Sequence, residues 1–95
     1  MIPEEFKNDV LRQAKANVDI LIQKHEDYGP KNISQSPGGP LNGLRVRMHD
    51  KMARINHLID NDKEPENEAL IDSFLDLANY AIIAQLVINR KWPDR

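Results

Sequence analysis

The sequence predicts an all-α protein, with three main helices in a small bundle that is expected to be completed by oligomerisation. Three observations carry this. Apolar residues recur at helical spacing over three long stretches, no stretch of useful length alternates as a strand does, and 95 residues suffice for one hydrophobic core but not two. Residues 1–95 are read as a single domain.

The first helix starts after Pro3, where Glu4 and Glu5 complement the helix dipole. Phe6, Val10, Ala14, Val18, Leu21 and Ile22 form its apolar face, and the helix should run to about His25 before Tyr28-Gly29-Pro30 stops it. A long loop then ends in Pro37-Gly38-Gly39-Pro40, and loops of this length in so small a domain are more often functional or disordered than decorative, with function the favoured expectation. Leu41, Leu44, Met48, Ile55, Leu58 and Ile59 mark the second helix, whose other side carries Arg45, Arg47, Asp50, Lys51 and Arg54. Asp60-Asn61-Asp62 and Pro65 should end it. The third helix is expected from Asn67, an N-cap followed by Glu68, to about Asn89. Its apolar residues fall in two rows: Ile71, Leu75, Ala78 and Ile82, and then Leu70, Phe74, Leu77, Ala81, Ala84 and Ile88. A helix apolar over so much of its circumference is normally covered from both sides, and a second copy of the chain is the expected cover.

Composition removes several classes of function. There is no cysteine, so disulfide frameworks, zinc ribbons and thiol nucleophiles are excluded. The start Met1-Ile2-Pro3-Glu4-Glu5 is neither basic nor apolar, and no segment reads as the roughly 20-residue apolar run of a membrane span. A soluble, cytoplasmic protein without membrane partners is expected. The net charge of -2 argues against binding long nucleic acid through its phosphates, although a local basic cluster can still hold one small anion.

Glu68, Asp72 and Asp76 stand four residues apart on the third helix, with Asn79 and Tyr80 beside the same stripe. A solvated acidic face accounts for the first two at a cost of a few tenths of a kcal/mol per pair. Asp76 differs, because it sits within Phe74-Leu75-Asp76-Leu77-Ala78, where an unpaired carboxylate is expensive. It requires a cation: Arg47, Lys51 or Arg54 from the second helix, or Mg²⁺, which binds through a few carboxylates plus substrate phosphates. The bland reading of the second helix is an Asp50–Arg54 surface pair worth about 0.3–0.5 kcal/mol. Lys31, Asn32 and the backbone N–H groups near Gly38, Gly39 and Gly43 form a candidate phosphate cradle, although the spacing is neither a Walker A nor a dinucleotide fingerprint. His25, His49 and His57 lack a metal-ligand spacing and read as surface or packing residues, and no serine belongs to a recognisable triad. Trp92 reads as an anchor for the C-terminal tail.

Three blocks in order, Lys24-His25-Glu26-Asp27-Tyr28-Gly29-Pro30-Lys31-Asn32, Arg47-Met48-His49-Asp50-Lys51-Met52-Ala53-Arg54 and Asp76-Leu77-Ala78-Asn79-Tyr80, resemble the phage nucleotide-modification-associated domain family. Its members are similar in outline to the MazG-like all-α nucleoside triphosphate pyrophosphohydrolases. The resemblance covers Lys24 to about Trp92 and implies an oligomeric, nucleotide-binding helical domain of phage type, placed in the host cytoplasm. MazG-like enzymes hold Mg²⁺ with Glu-x-x-Glu on one helix and Glu-x-x-Asp on the next. Asp50 and Asp76 match two of those four acids, while Ala53 and Ser73 stand where two others belong.

The leading expectation is therefore a protein that binds, and can sequester, a small nucleotide or nucleotide-derived anion. Lys31, Arg47, Lys51 and Arg54 would face the phosphates, and Tyr28, Asn32, Asn79 and Tyr80 the base or sugar. The alternative is a Mg²⁺-dependent pyrophosphohydrolase with Asp50, Asp72 and Asp76 on the metal. A third reading is a structural helical adaptor in which acids and bases merely satisfy each other.

Overall fold

The computed structural model describes residues 2–61 and 68–93. The chain is all-α, with α1 at Glu4–Tyr28, a short α2 at Lys31–Ser34, α3 at Pro40–Asn61 and α4 at Glu68–Ile88. Among the described residues there is no strand. Three long helices appear where the apolar periodicity placed them. Asp62, Pro65 and Asn67, expected to end one helix and cap the next, lie outside the described residues.

Helix α1 runs three residues past His25 and stops at Gly29, whose φ of 72° suits a residue without Cβ and whose N–H donates to the His25 carbonyl at 2.8 Å. The segment expected to be a plain loop instead contains α2, which buries Ile33. Gly43 lets this segment lie against α3, since a Cβ there would stand 2.4 Å from the Ser36 side chain. At the far end of α4 the N–H of Lys91 donates to the Leu86 carbonyl and that of Arg90 to the Val87 carbonyl. This is a Schellman motif with Arg90 at φ 58°, a left-handed position usually held by glycine. It turns the chain back so that Trp92 reaches the bundle, where its Nε1 donates to the Pro30 carbonyl at 3.1 Å. Trp92 is thus the tail anchor its position suggested.

Helices α3 and α4 form the main packing pair, and α1 meets α4 over a much shorter stretch. The core is Ile33, Leu44 and Ile83, with Leu21, Tyr80, Ala84, Val87 and Trp92 packed around it. Two expectations need correction. None of the residues of α1 is buried, and Phe6, Val10 and Leu11 stay 57%, 50% and 58% exposed, because α4 crosses only the C-terminal part of the helix. On α4 the buried positions are Ser73, Asn79 and Ile83, so the face turned inward lies outside the two adjoining apolar rows and is partly polar. Ser73 is satisfied by donating to the Ala69 carbonyl at 2.8 Å.

A third correction concerns membranes. Helix α4, at 21 residues with a mean hydropathy of 1.4 over its most apolar 18-residue window, does have the length and apolarity of a span. It nevertheless carries Asp72 and an Asp76 paired with lysines of two other helices, charges that are costly in hydrocarbon, and it is read as a bundle helix.

Two substitutions check this packing. Leu44→Ala, at a position 1% exposed, is expected to cost about 2–5 kcal/mol in urea unfolding. Arg90→Gly is expected to stabilise by about 0.5–1 kcal/mol, because it relieves a left-handed L-residue at some cost in chain entropy. An unchanged or lowered midpoint would argue against a fixed left-handed turn at Arg90.

Candidate functional site

The half-polar inner face of α4 requires partners, and it finds them on both neighbouring helices. Asp76, with 18% of its side chain exposed, accepts from Lys24 Nζ of α1 at 3.0 Å and lies 2.8 Å from Lys51 Nζ of α3, one oxygen to each. Burial pushes the Asp76 carboxyl up, but the hydrogen bonds from Lys51 and Lys24 outweigh it and hold the group below its ordinary range. Lys24 is raised by its hydrogen bond to Asp76, against a smaller opposing effect of burial. Lys51 is thus one of the cations the sequence offered to Asp76, and Lys24 is an additional one.

One turn further along α4, Asn79 Nδ2 donates to the Asn17 carbonyl of α1 at 2.9 Å. That leaves Oδ1 of a side chain only 6% exposed without a hydrogen-bond partner among the described residues. His25 Nδ1 is likewise buried and unpartnered among them, its ring held edge-on to Trp92 at 4.9 Å. Ser34 Oγ, outside this group, is in the same condition, and a buried polar atom of this kind calls for a partner such as water or a ligand.

These groups surround one cavity of about 270 Å³. Its walls come from Leu21, Lys24, His25 and Tyr28 of α1 and from Gly29, Asn32 and Ile33 of the following segment. Arg47 and Lys51 of α3, Asp76, Asn79, Tyr80 and Ile83 of α4, and Trp92 complete it. Three cations face one carboxylate there, so the cavity carries a positive surplus suited to an anion. Each lysine has ammonium hydrogens beyond the one directed at Asp76. Arg47 is partly engaged: Nη2 donates to the Asn32 carbonyl at 2.9 Å and Nη1 to Ser36 Oγ at 3.3 Å, tying the loop to α3. Tyr80 and Trp92 are half-buried and Tyr28 is 69% exposed, which places aromatic surface in the walls where a planar ring can stack.

Of the residues the sequence singled out, Tyr28, Asn32, Arg47, Lys51, Asp76, Asn79 and Tyr80 come together here. Lys31 and Arg54 are exposed and outside the cavity walls, as are Asp50 and Asp72. The glycine amides do not form the expected cradle, because Gly39 N–H donates to the Ser36 carbonyl, Gly43 N–H to the Gly39 carbonyl, and Gly38 does not line the cavity. Both oxygens of Asp76 face lysines, and among the described residues no three His, Cys, Asp or Glu side chains are grouped to hold a metal ion. The residues present do not fit a Mg²⁺ held by Asp50, Asp72 and Asp76 of one chain. Lys24, His25 and Trp92 were missed as site residues. A signal existed, since Leu21, Lys24, His25 and Tyr28 follow the i, i+3, i+4, i+7 spacing of a single helix face.

The ion-pair bridge predicts a pH profile. The folded Asp76 pKa is depressed, so its contribution to stability is complete above the ordinary carboxylate pKa, roughly pH 4, and is lost as pH falls through the lower folded value. Urea midpoints of the parent should drop below about pH 4. Those of Asp76→Asn should start lower at pH 7 and show less of that acid decline. Parallel profiles would remove Asp76 as the acid-sensitive link.

The chain matches no protein-family model, no curated protein and no solved structure.

Proposed function

We propose that this protein binds a small nucleotide or nucleotide-derived anion in the cavity between α1, α3 and α4. The observation that carries the reading is the joint presence of a cationic surplus and a buried, unpartnered amide oxygen in one aromatic-walled cavity. Lys24, Lys51 and Arg47 meet the negative charge, with Arg47 also bracing the loop. Asn79 Oδ1 accepts from an N–H or O–H of the ligand, and a base or sugar offers both kinds of donor. Tyr28, Tyr80 and Trp92 supply ring surface for a base. The volume of about 270 Å³ is at the small end for ligand pockets, which suits a mononucleotide-sized molecule better than a larger one.

The resemblance to phage nucleotide-modification-associated domains supports the same ligand class, and the departures at Ala53 and Ser73 favour holding the nucleotide over hydrolysing it. A positively charged site with its one carboxylate already neutralised stabilises phosphate directly, without several acids converging on a metal. Tight binding without turnover would let a phage-type protein of this kind sequester a nucleotide in the host cytoplasm. The hydrolase and adaptor readings become the other outcomes of one experiment.

Calorimetric titration with a panel of nucleoside mono-, di- and triphosphates should give saturable binding to at least one, unaffected by EDTA. Lys51→Ala should weaken it by about 1.5–3 kcal/mol, roughly one to two orders of magnitude in Kd, with helicity retained. EDTA-sensitive release of pyrophosphate would put the hydrolase first, and neither binding nor turnover would put the adaptor first.

A further inference from the structure

The two-helix layer of α3 and α4 has two unlike faces. On the cavity face lie Arg47, Lys51, Asp76, Asn79 and Ile83, covered by the C-terminal part of α1 and by α2. On the opposite face Met48 and Met52 of α3 and Phe74, Leu77, Ala78 and Ala81 of α4 line an open apolar groove, with Arg45 and His49 at its edge. Phe74 is 49% and Met52 42% exposed, and only 11% of the most apolar window of α4 is buried within the chain. No described element of the same chain covers this groove.

The chain carries a second uncovered apolar surface. Phe6, Val10 and Ala14 continue the same face of α1 that holds Asn17, Leu21 and Lys24 against α4, but they lie before the first residue of α1 that is even half-buried. The stripe therefore overhangs its own bundle. A helix of this kind is marginal in water without a packing partner.

The geometry points to these two surfaces being each other's partners in different copies: the N-terminal half of α1 from one chain seats in the α3/α4 groove of a second, and the exchange is reciprocal. Three features fit the pair. From Phe6 to Ala14 the stripe spans about 12 Å and from Phe74 to Ala81 the groove spans about 11 Å, so two helical turns meet two helical turns. Glu4 and Glu5 have no ion pair among the described residues, and the groove edge offers Arg45 and His49, neither of which has one there either. A reciprocal exchange closes a two-fold dimer and covers both surfaces, whereas packing one groove directly on another leaves the α1 stripe bare. The inserted helix adds a second cover to the α3/α4 layer on the side away from the cavity, so each copy keeps its ligand site open.

The absence of cysteine makes a clean cross-linking test. Two single variants, Val10→Cys and Ala78→Cys, are purified as full chains, mixed and oxidised at micromolar concentration. The expected product is a mixed disulfide dimer between the two variants, formed well above either self-linked species. Self-linked Ala78→Cys as the main product would overturn the exchange in favour of groove-on-groove packing, and the absence of any linked dimer would overturn it altogether. Light scattering checks the same point independently: the parent should be a dimer, and Val10→Glu and Met52→Glu should each raise the dissociation constant by about a hundredfold with helicity kept. A parent that is monomeric, or a dimer indifferent to Val10→Glu, would also overturn it.

Discussion

A carboxylate in an apolar helix segment must be met by positive charge, and much of this molecule follows from how Asp76 is met. Lys24 and Lys51 approach it from different helices, one oxygen each, so α1 and α3 are both referred to the same atom group on α4. Because α1 buries no residue completely, its position depends on directional polar contacts more than on apolar area. The Lys24 ammonium and the Asn17 carbonyl, each meeting a polar group of α4, set where α1 crosses it. Polar ties of this kind do not close-pack as aliphatic side chains do, and the space between the long lysine stems, the amide of Asn79 and the ring of Tyr80 is the cavity.

The other end of the cavity is braced by the segment between α1 and α3. Arg47 reaches two acceptors of that segment at once, as a planar guanidinium can and an ammonium cannot do with the same geometry. Gly43 admits Ser36 at a distance no side chain on α3 would permit, and the Schellman turn sends Trp92 back to the Pro30 carbonyl. The Gly-rich loop therefore shapes the site by close approach and positive φ, not by offering amides to a phosphate. Its Gly39 and Gly43 N–H groups are engaged in the chain's own turns.

The two faces of the α3/α4 layer divide the chemistry. One holds charge, amides and aromatic rings around a cavity, and the other is an apolar groove edged by Arg45 and His49. Ser73 illustrates the division. It is 2% exposed and bonded to its own helix, so the glutamate that a MazG-like site would carry at this position would be a buried acid, not one added to the cavity wall. The departures from that enzyme pattern and the lysine pairing of Asp76 belong to one arrangement, in which side-chain cations outnumber carboxylates in the cavity wall.

The periodicity of apolar residues was enough to establish an all-α chain and to place α1, α3 and α4 within a few residues, because a 3.6-residue repeat and its Gly and Pro stops are local properties. The requirement of Asp76 for a cation was also legible, since desolvation of a carboxylate depends on its immediate neighbours in sequence. So was the grouping of Tyr28, Asn32, Arg47, Lys51, Asn79 and Tyr80, which line one cavity. Which cations reached Asp76, why Lys31 and Arg54 stayed outside, and that His25 and Trp92 joined the wall depended on how helices cross, which no single helix records. The same holds for the faces of α4: its sequence shows two adjoining apolar rows, yet the partly polar strip on the other side turned inward, because paired charges and a hydrogen-bonded amide can be buried only where other helices bring their partners.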